Sequence, residues 1–324
     1  MRRGERGFAL ILAIFVVALL AFMVLASARA LGDVATSTAR LQESRNELVA
    51  AESLLSRTAF LVLTEEIGAR DLTTDGARWG GQSIRMDGAW YLVAGSSASL
   101  SLQDEAGLFN LNGPDQQALS ALLQLGGNRD AAELAAALMD YTDADDLVRD
   151  RGAEAREYSR AGLWSPANGP LASRWEALEA LGWRGTERNV AWNWFNAGPV
   201  ESSLNINTAP EAVLEAALGD RRRAEAIVRQ RQASPLTDVA QVQALTGGTA
   251  RADGVTFAVA PGRGFRVQAV FGSRRARHGI ERRLVLGGAE ATRPFSWAEE
   301  REVRLAPLRD GEPVNTLSLD APAS

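Results

Sequence analysis

The sequence has no cysteine and no lysine, and its only histidine is His278. Without cysteine there can be no disulfide and no thiolate metal site. A histidine triad or a histidine-rich zinc centre would have one member at most, which argues against a zinc enzyme but leaves oxygen-ligand metals open. All 35 basic residues are arginine, which reads as compositional bias, and 40 acidic residues outnumber them. The net charge of −5 gives no basic footprint of the kind nucleic-acid binders show. Catalytic sets are equally thin: Asp104 and Glu105 are adjacent without a defined acid/base spacing, and Gly262-Arg263-Gly264 reads as a turn. The chain is expected not to be an enzyme.

It does have one long apolar run, from Phe8 to Ala28, preceded by Arg2, Arg3 and Arg6. Such a run matches the roughly 20 residues that cross a bilayer core as helix. The arginines place the N-terminus in the cytoplasm and the rest of the chain across the membrane. A cleaved signal peptide is the alternative, with Ala26-Ser27-Ala28 imitating the cleavage site, although a secretory apolar core is only about 7–15 residues. From Arg29 to about Ile67 the helical period continues through Leu41, Leu48, Ala51, Leu55, Ala59 and Val62. The helix is expected to continue past the membrane as one element over 8–67, about 60 residues and about 90 Å long; a membrane anchor followed by a separate soluble helix is the alternative.

After Gly68 strand patterns take over. Asp87-Gly88 lies between two strand-like runs with the chemistry of a tight hairpin turn, and Leu100 and Leu102 alternate before Glu105-Ala106-Gly107. Strand signals then vanish and return at 255–260, 264–272, 279–287 and 301–305. This predicts an α+β fold, in which a long N-terminal helix packs on an antiparallel-sheet domain. The expected sheet domain comprises 68–108 plus 252–324, interrupted by an all-α domain over 109–251. Three consecutive domains would strand a small hairpin unit alone.

The middle repeats itself. "FNLNGPDQQAL" (109–119) resembles "LNINTAPEAVL" (204–214), matching Asn110 with Asn205, Asn112 with Asn207 and Leu119 with Leu214. Asn112 and Thr208 are placed as helix caps, with Pro114 and Pro210 near the first turn. Further on, "PLASRWEALEAL" (170–181) parallels "PLTDVAQVQAL" (235–245). The second copy resembles a helix-hairpin-helix, whose hairpin offers backbone N–H groups to phosphate. Arg221, Arg222 and Arg223 beside it raise a DNA-binding reading. Gly219-Asp220 supplies one glycine where that motif usually has two, so a solvated or partner-facing edge is the rival reading.

The densest acidic stretch is "DYTDADD" (140–146), with Glu154 and Glu157 close behind. Asp143, Asp145 and Asp146 are hard oxygen donors that a loop could wrap around calcium, though without the glycine and terminal glutamate of an EF-hand. Solvated acids at a helix end are the alternative. "WRGTERNVAWNWFNAG" (183–198) concentrates Trp183, Trp192, Trp194 and Phe195, either as an exposed contact surface or, the favoured reading, as packing.

Taken in order, the basic leader ending in Gly7-Phe8, the long helix, "DEAGLFNLN" (104–112), "LMDYTDADD" (138–146), "PANGPLAS" (166–173) and "LNINTAPEAVL" (204–214) resemble the minor pseudopilin K family of the bacterial type II secretion system. The resemblance covers nearly the whole chain. It implies cleavage by prepilin peptidase after Gly7, N-methylation at Phe8, and a body in the periplasm anchored in the inner membrane. It also implies a place at the pseudopilus tip with the minor pseudopilins I and J, other pseudopilins meeting the N-terminal helix, and calcium in the helical domain of some members. Most pilin-like subunits carry glutamate at the fifth mature position; here Leu12 stands there. A minor pilin of a type IV pilus or competence system, contacting DNA through Arg221–Arg223, is the alternative reading.

Overall fold

The computed structural model describes residues 3–75, 81–96, 98–113, 115–186, 189–198, 203–247, 251–252, 255–271, 277–287, 292–305 and 315–317. Two compact units divide the chain, Met1–Ser53 and Leu54–Ser324. The helix α1 runs without a break over Arg3–Thr64, so the apolar run and the amphipathic stretch are one helix. No proline interrupts it, and Thr36 Oγ1 bonds the carbonyl of Gly32, the one glycine beyond the apolar run. Within the first unit Leu12, Phe15, Phe22, Leu31 and Leu41 all stand exposed.

The second unit starts with the last turns of α1, where Leu54, Leu55, Thr58, Ala59, Leu61 and Val62 are buried at helical spacing. Next come β1 (Glu66–Ile67), β2 (Asp71–Thr73) and β3 (Ser83–Arg85), a small antiparallel sheet. The main sheet has six strands in the order β13-β12-β11-β5-β4-β14. Its members are β4 (Asp87–Val93), β5 (Ser99–Asp104), β11 (Gly264–Phe271), β12 (Arg277–Leu286), β13 (Phe295–Leu305) and β14 (Asn315–Leu317). All pairs are antiparallel except β14 on β4. The register puts Leu100, Leu102, Phe265, Val267, Ala269, Ile280 and Leu284 on one face, all buried. Ser99, Ser101, Gln103, Arg266, Gln268, Glu281 and Arg283 share the other, a polar face that nonetheless lies largely buried.

Two expectations about strands are corrected. Asp87-Gly88 is not a hairpin turn, because β3 pairs with β2 and not with β4. Gly88, at φ +78°, instead sits where the β4–β5 register slips between Asp87 and Trp90, a bulge that needs the same left-handed glycine as a turn. The run at 255–260 does not join the main sheet either. Its β10 (Val255–Ala258) pairs in parallel with β8 (Ser203–Asn205), inside the helical region.

That region is built from two copies of one frame. The first consists of β6 (Phe109–Asn110), α2 (Gln116–Leu125), α3 (Ala131–Thr142), α4 (Ala155–Arg160), a 3-10 helix over Arg174–Glu179 and β7 (Phe195–Asn196). The second consists of β8, α5 (Glu211–Leu218), α6 (Arg221–Ala233), α7 (Val239–Thr246) and β10, with the short β9 (Arg251–Ala252) antiparallel on β10. In each copy the first and last strands pair in parallel.

The repeated asparagines have a common task, and it is not helix capping. Asn112 Oδ1 accepts from Leu171 N at 2.8 Å while its Nδ2 donates to Leu171 O at 3.0 Å. Asn207 does the same to Leu236, at 2.9 and 2.8 Å. Asn110 and Asn205 each accept from the backbone N–H two residues on. The helix starts expected to be capped by Asn112 and Thr208 are served otherwise: Asp115 caps α2, and α5 starts at Pro210 without a side-chain cap. Pro114 lies outside the described residues. The downstream caps do repeat, since Ser173 accepts from Trp175 N and Asp238 from Ala240 N.

The two copies share one hydrophobic core that includes Leu119, Leu138, Trp183, Phe195, Leu214 and Ile227. Fully burying each such side chain is worth about 1.5–3 kcal/mol. Trp183 and Trp192 are both buried and in ring contact at 5.9 Å, and Trp183 Nε1 donates to Leu134 O. The tryptophan cluster is packing.

Candidate functional site

Three places in the chain carried functional expectations: the start of α1, the acidic loop after α3, and the arginines at the start of α6. Gly7 and Phe8 fall within α1, and Leu12 is 53% exposed. Among the described residues α1 is the single helix long and apolar enough to cross a membrane.

The acidic loop is assembled around Asp140, which is wholly buried in the last turn of α3. Its carboxylate accepts from Arg149 N, from Arg149 Nη1 at 2.7 Å and from Ala153 N at 2.8 Å. A Cβ on Gly152 would collide with Asp140 Oδ2, so the loop can close on the carboxylate only with glycine there. Arg149 Nη1 also bonds Asp143. Asp145 Oδ1 accepts from Leu147 N, and Asp146 Oδ1 accepts from Asn168 Nδ2 at 3.0 Å. Asp143, Asp145 and Asp146 are thus neighbours that turn to three different partners. No group of three or more His, Asp or Glu side chains among the described residues is already placed to hold a metal ion.

Two residues beyond the sequence triplet matter here. Glu154 is 3% exposed and neither carboxylate oxygen has a hydrogen-bond partner; Asp143 Oδ1 and Asn168 Oδ1 are buried and partnerless as well. Desolvation first, and then the charges of Asp140, Asp143, Asp146 and Asp145, push the Glu154 carboxyl up to about 7. Glu154 was visible in the sequence as an acid behind the cluster. Asn168 carried a signal too: an asparagine before glycine in "PANGP", here at φ +47°, in the left-handed region that asparagine tolerates better than most residues.

The arginines of α6 are largely engaged. Arg221 pairs with Glu225 at 3.0 Å, and Arg223 pairs with Asp220 and donates to Thr246 O. Asp220 caps α6 through Arg222 N and Arg223 N. His278 is exposed on β12.

The insertion is fixed to the polar face of the sheet by buried charge. Arg174, 4% exposed, pairs with Glu281 of β12, and Glu105 pairs with Arg283. Burial pulls the Arg174 guanidinium down to about 10. Burial alone would raise Glu281, but Arg266 and Arg174 outweigh it and hold its carboxyl below the usual range. Arg266 also donates to Phe195 O, and Asp104 accepts from Asn205 Nδ2 and Thr208 Oγ1 at 2.8 Å each. Asp104 and Glu105 are therefore structural.

A long N-terminal helix, an antiparallel sheet and a two-copy helical insertion between adjacent strands define an α+β pseudopilin with an inserted domain. Two family models match in order along that insertion: both are described as type II secretion system (T2SS), protein K, one over residues 99–189 and the other over 204–260. Both matched stretches, which lie in the insertion and the strand before it, are thus similar to protein K of the type II secretion system. The fold of the chain is similar to that of a chain in the crystal structure of the GspK-GspI-GspJ complex from the enterotoxigenic Escherichia coli type 2 secretion system. That likeness has a TM-score of 0.52 at 21% identity and covers 82% of this chain and 99% of that one. No curated protein matches the sequence closely.

Proposed function

We propose that this pseudopilin sits at the tip of the type II secretion pseudopilus and helps to start its assembly for export of folded proteins. Prepilin peptidase would cut after Gly7 and methylate Phe8. Residues from Phe8 would remain in the inner membrane with the N-terminus cytoplasmic, in keeping with the arginines before the apolar run. The single observation that carries the tip position is Leu12. In other pilin-like subunits an acid there is thought to meet the amino terminus of the subunit ahead. An intramembrane carboxylate is costly unless paired, and a subunit with none ahead of it has no use for one. The relative from enterotoxigenic E. coli was crystallised with GspI and GspJ, which supports the I and J subunits as partners for this chain. Its role is structural, with no reaction to catalyse.

Deletion and complementation test the reading. Loss of the gene should abolish pseudopilus assembly and secretion, and the wild-type chain should restore both. Normal secretion in the deletion strain would overturn it. Co-purification of the full chain with its I and J subunits checks the partners.

Calcium belongs to the same proposal. The buried partnerless oxygens of Asp143, Glu154 and Asn168 are hard donors that suit it, with Asp145 and Asp146 beside them. Bound there, calcium would offset the repulsion among these carboxylates. Titration calorimetry of the full chain with calcium should show one site that Asp143→Ala and Glu154→Ala each abolish. An absence of binding heat in the wild type would remove calcium from the account.

A further inference from the structure

A cleft of about 790 Å³ lies between the polar face of the sheet and the first copy of the insertion. Small-molecule sites of roughly 300–1,000 Å³ favour such junctions. The sheet lends it Gln103, Arg266 and Glu281, and the insertion Arg174 and Trp192, each 4–7% exposed. Arg174 Cζ lies over the Trp175 ring at 4.6 Å, and the Trp192 ring meets the same ring at 4.7 Å. Arg174 and Trp192 are thus gathered at one indole.

The charges lining the cleft balance: Arg174, Arg266 and Arg301 stand against Glu281, Glu302 and Asp87. The hydrogen bonds do not. Both Glu281 oxygens are taken, Oε1 by Arg174 Nη2 and Oε2 by Gln268 Nε2. Gln103 Nε2 donates to Asp104 O, and Arg266 Nη2 donates to Phe195 O. Among the described residues lining the cleft, two buried side-chain atoms lack a partner, Arg174 Nε and Trp192 Nε1, and both are donors. Glu281 takes Nη2 only, so Arg174 keeps Nε for another acceptor. Buried polar groups are rarely left so, and two orphan donors at one indole call for an acceptor between them. Burial and the charge of Arg266 already pull the Arg174 guanidinium down to about 10, so an anionic acceptor suits it better than a neutral one. A single charge fits best, because Glu281 would repel a doubly charged phosphate.

We propose that the cleft binds a carboxylate, which accepts from Arg174 Nε and Trp192 Nε1. A free organic acid and the end of a peptide chain both carry that group. Full-length protein in a non-ionic detergent, with isotope-labelled tryptophan, is titrated with succinate, triglycine and triglycine amide while the indole N–H resonances are followed. The resonance missing from Trp192→Phe belongs to Trp192. It should shift with succinate and triglycine and stay in place with the amide. Tighter binding of triglycine would identify the ligand as a chain end, and tighter binding of succinate as a free acid. Trp192→Phe keeps a packing ring and Arg174→Lys keeps a charge for Glu281, yet each loses one donor. Each should bind about tenfold more weakly by calorimetry. A Trp192 resonance unmoved by both acids at about 10 mM would overturn the site. So would an equal shift with the amide, or wild-type affinity in both variants. If a variant fails to fold, the difference between triglycine and its amide in the wild type still decides.

Discussion

The two copies of the insertion share a frame but are fastened to the sheet by different chemistry. The first is held by ion pairs, chiefly Arg174 with Glu281, and by Arg266 donating to Phe195 O. The second is held by hydrogen bonds: Asn205 and Thr208 donate to Asp104, and Arg70 Nη1 donates to Arg231 O at 2.7 Å. Arg231 in turn donates to Ile206 O and Ala209 O within its own copy. The difference teaches that the frame depends on the asparagine clamp and the paired strands, which recur. The fastening is free to diverge.

Breaking the charge fastening should have the largest effect. Glu281→Leu strands a buried arginine and should cost about 3–5 kcal/mol in urea unfolding of the full chain, whereas the double variant with Arg174→Met should recover most of the loss. If the single variant is as stable as wild type, the first copy is not held by charge. The clamps come next. Asn207→Ala leaves Leu236 and Val259 backbone groups without partners in a wholly buried site and should cost about 2–3 kcal/mol. The half-buried Asn112→Ala should cost about 1 kcal/mol, because water can reach part of that site. Ser173→Ala and Asp238→Ala should each cost about 1 kcal/mol by denaturant midpoint, and a marked inequality would break the equivalence of the caps.

The smallest effect is on pH dependence. Glu281 titrates below its unfolded value, so its contribution is present above about pH 4.5 and is lost as pH falls through the folded pKa. Burial and the charge of Glu105 raise Glu299, so its ionisation works against folding as pH rises from 4.5 through its folded pKa. Unfolding midpoints across pH should therefore show Glu281→Gln flattening the acid limb and Glu299→Gln flattening the opposite slope.

Much of this was legible in the sequence. The unbroken α1 and the doubled asparagine motif follow from local patterns, and the matching Pro-Leu segments pointed to the clamp without revealing it. The partners were not legible: Asn112 meets Leu171 and Arg174 meets Glu281 across long stretches of chain, where only tertiary packing sets the distance. Gly88 misled because a bulge and a tight turn ask the same of glycine. β10 misled because a strand pattern does not say which sheet will take it. In the acidic loop the cluster was visible, but Glu154's burial and Asn168's return to Asp146 depend on how the loop folds back.

One oxygen has a consequence for how the insertion is carried. Asp104 Oδ1 accepts from Ala106 N, where the chain leaves β5, and from Gly262 N, just before it rejoins β11, at 3.0 Å each. Because β5 and β11 are adjacent partners, the two posts are stapled together like the ends of a hairpin. The junction is a graft point. A load applied to the insertion therefore enters the sheet at a closed gate as well as through Arg174 and Glu281, and the gate guards the β5–β11 register where the chain departs and returns.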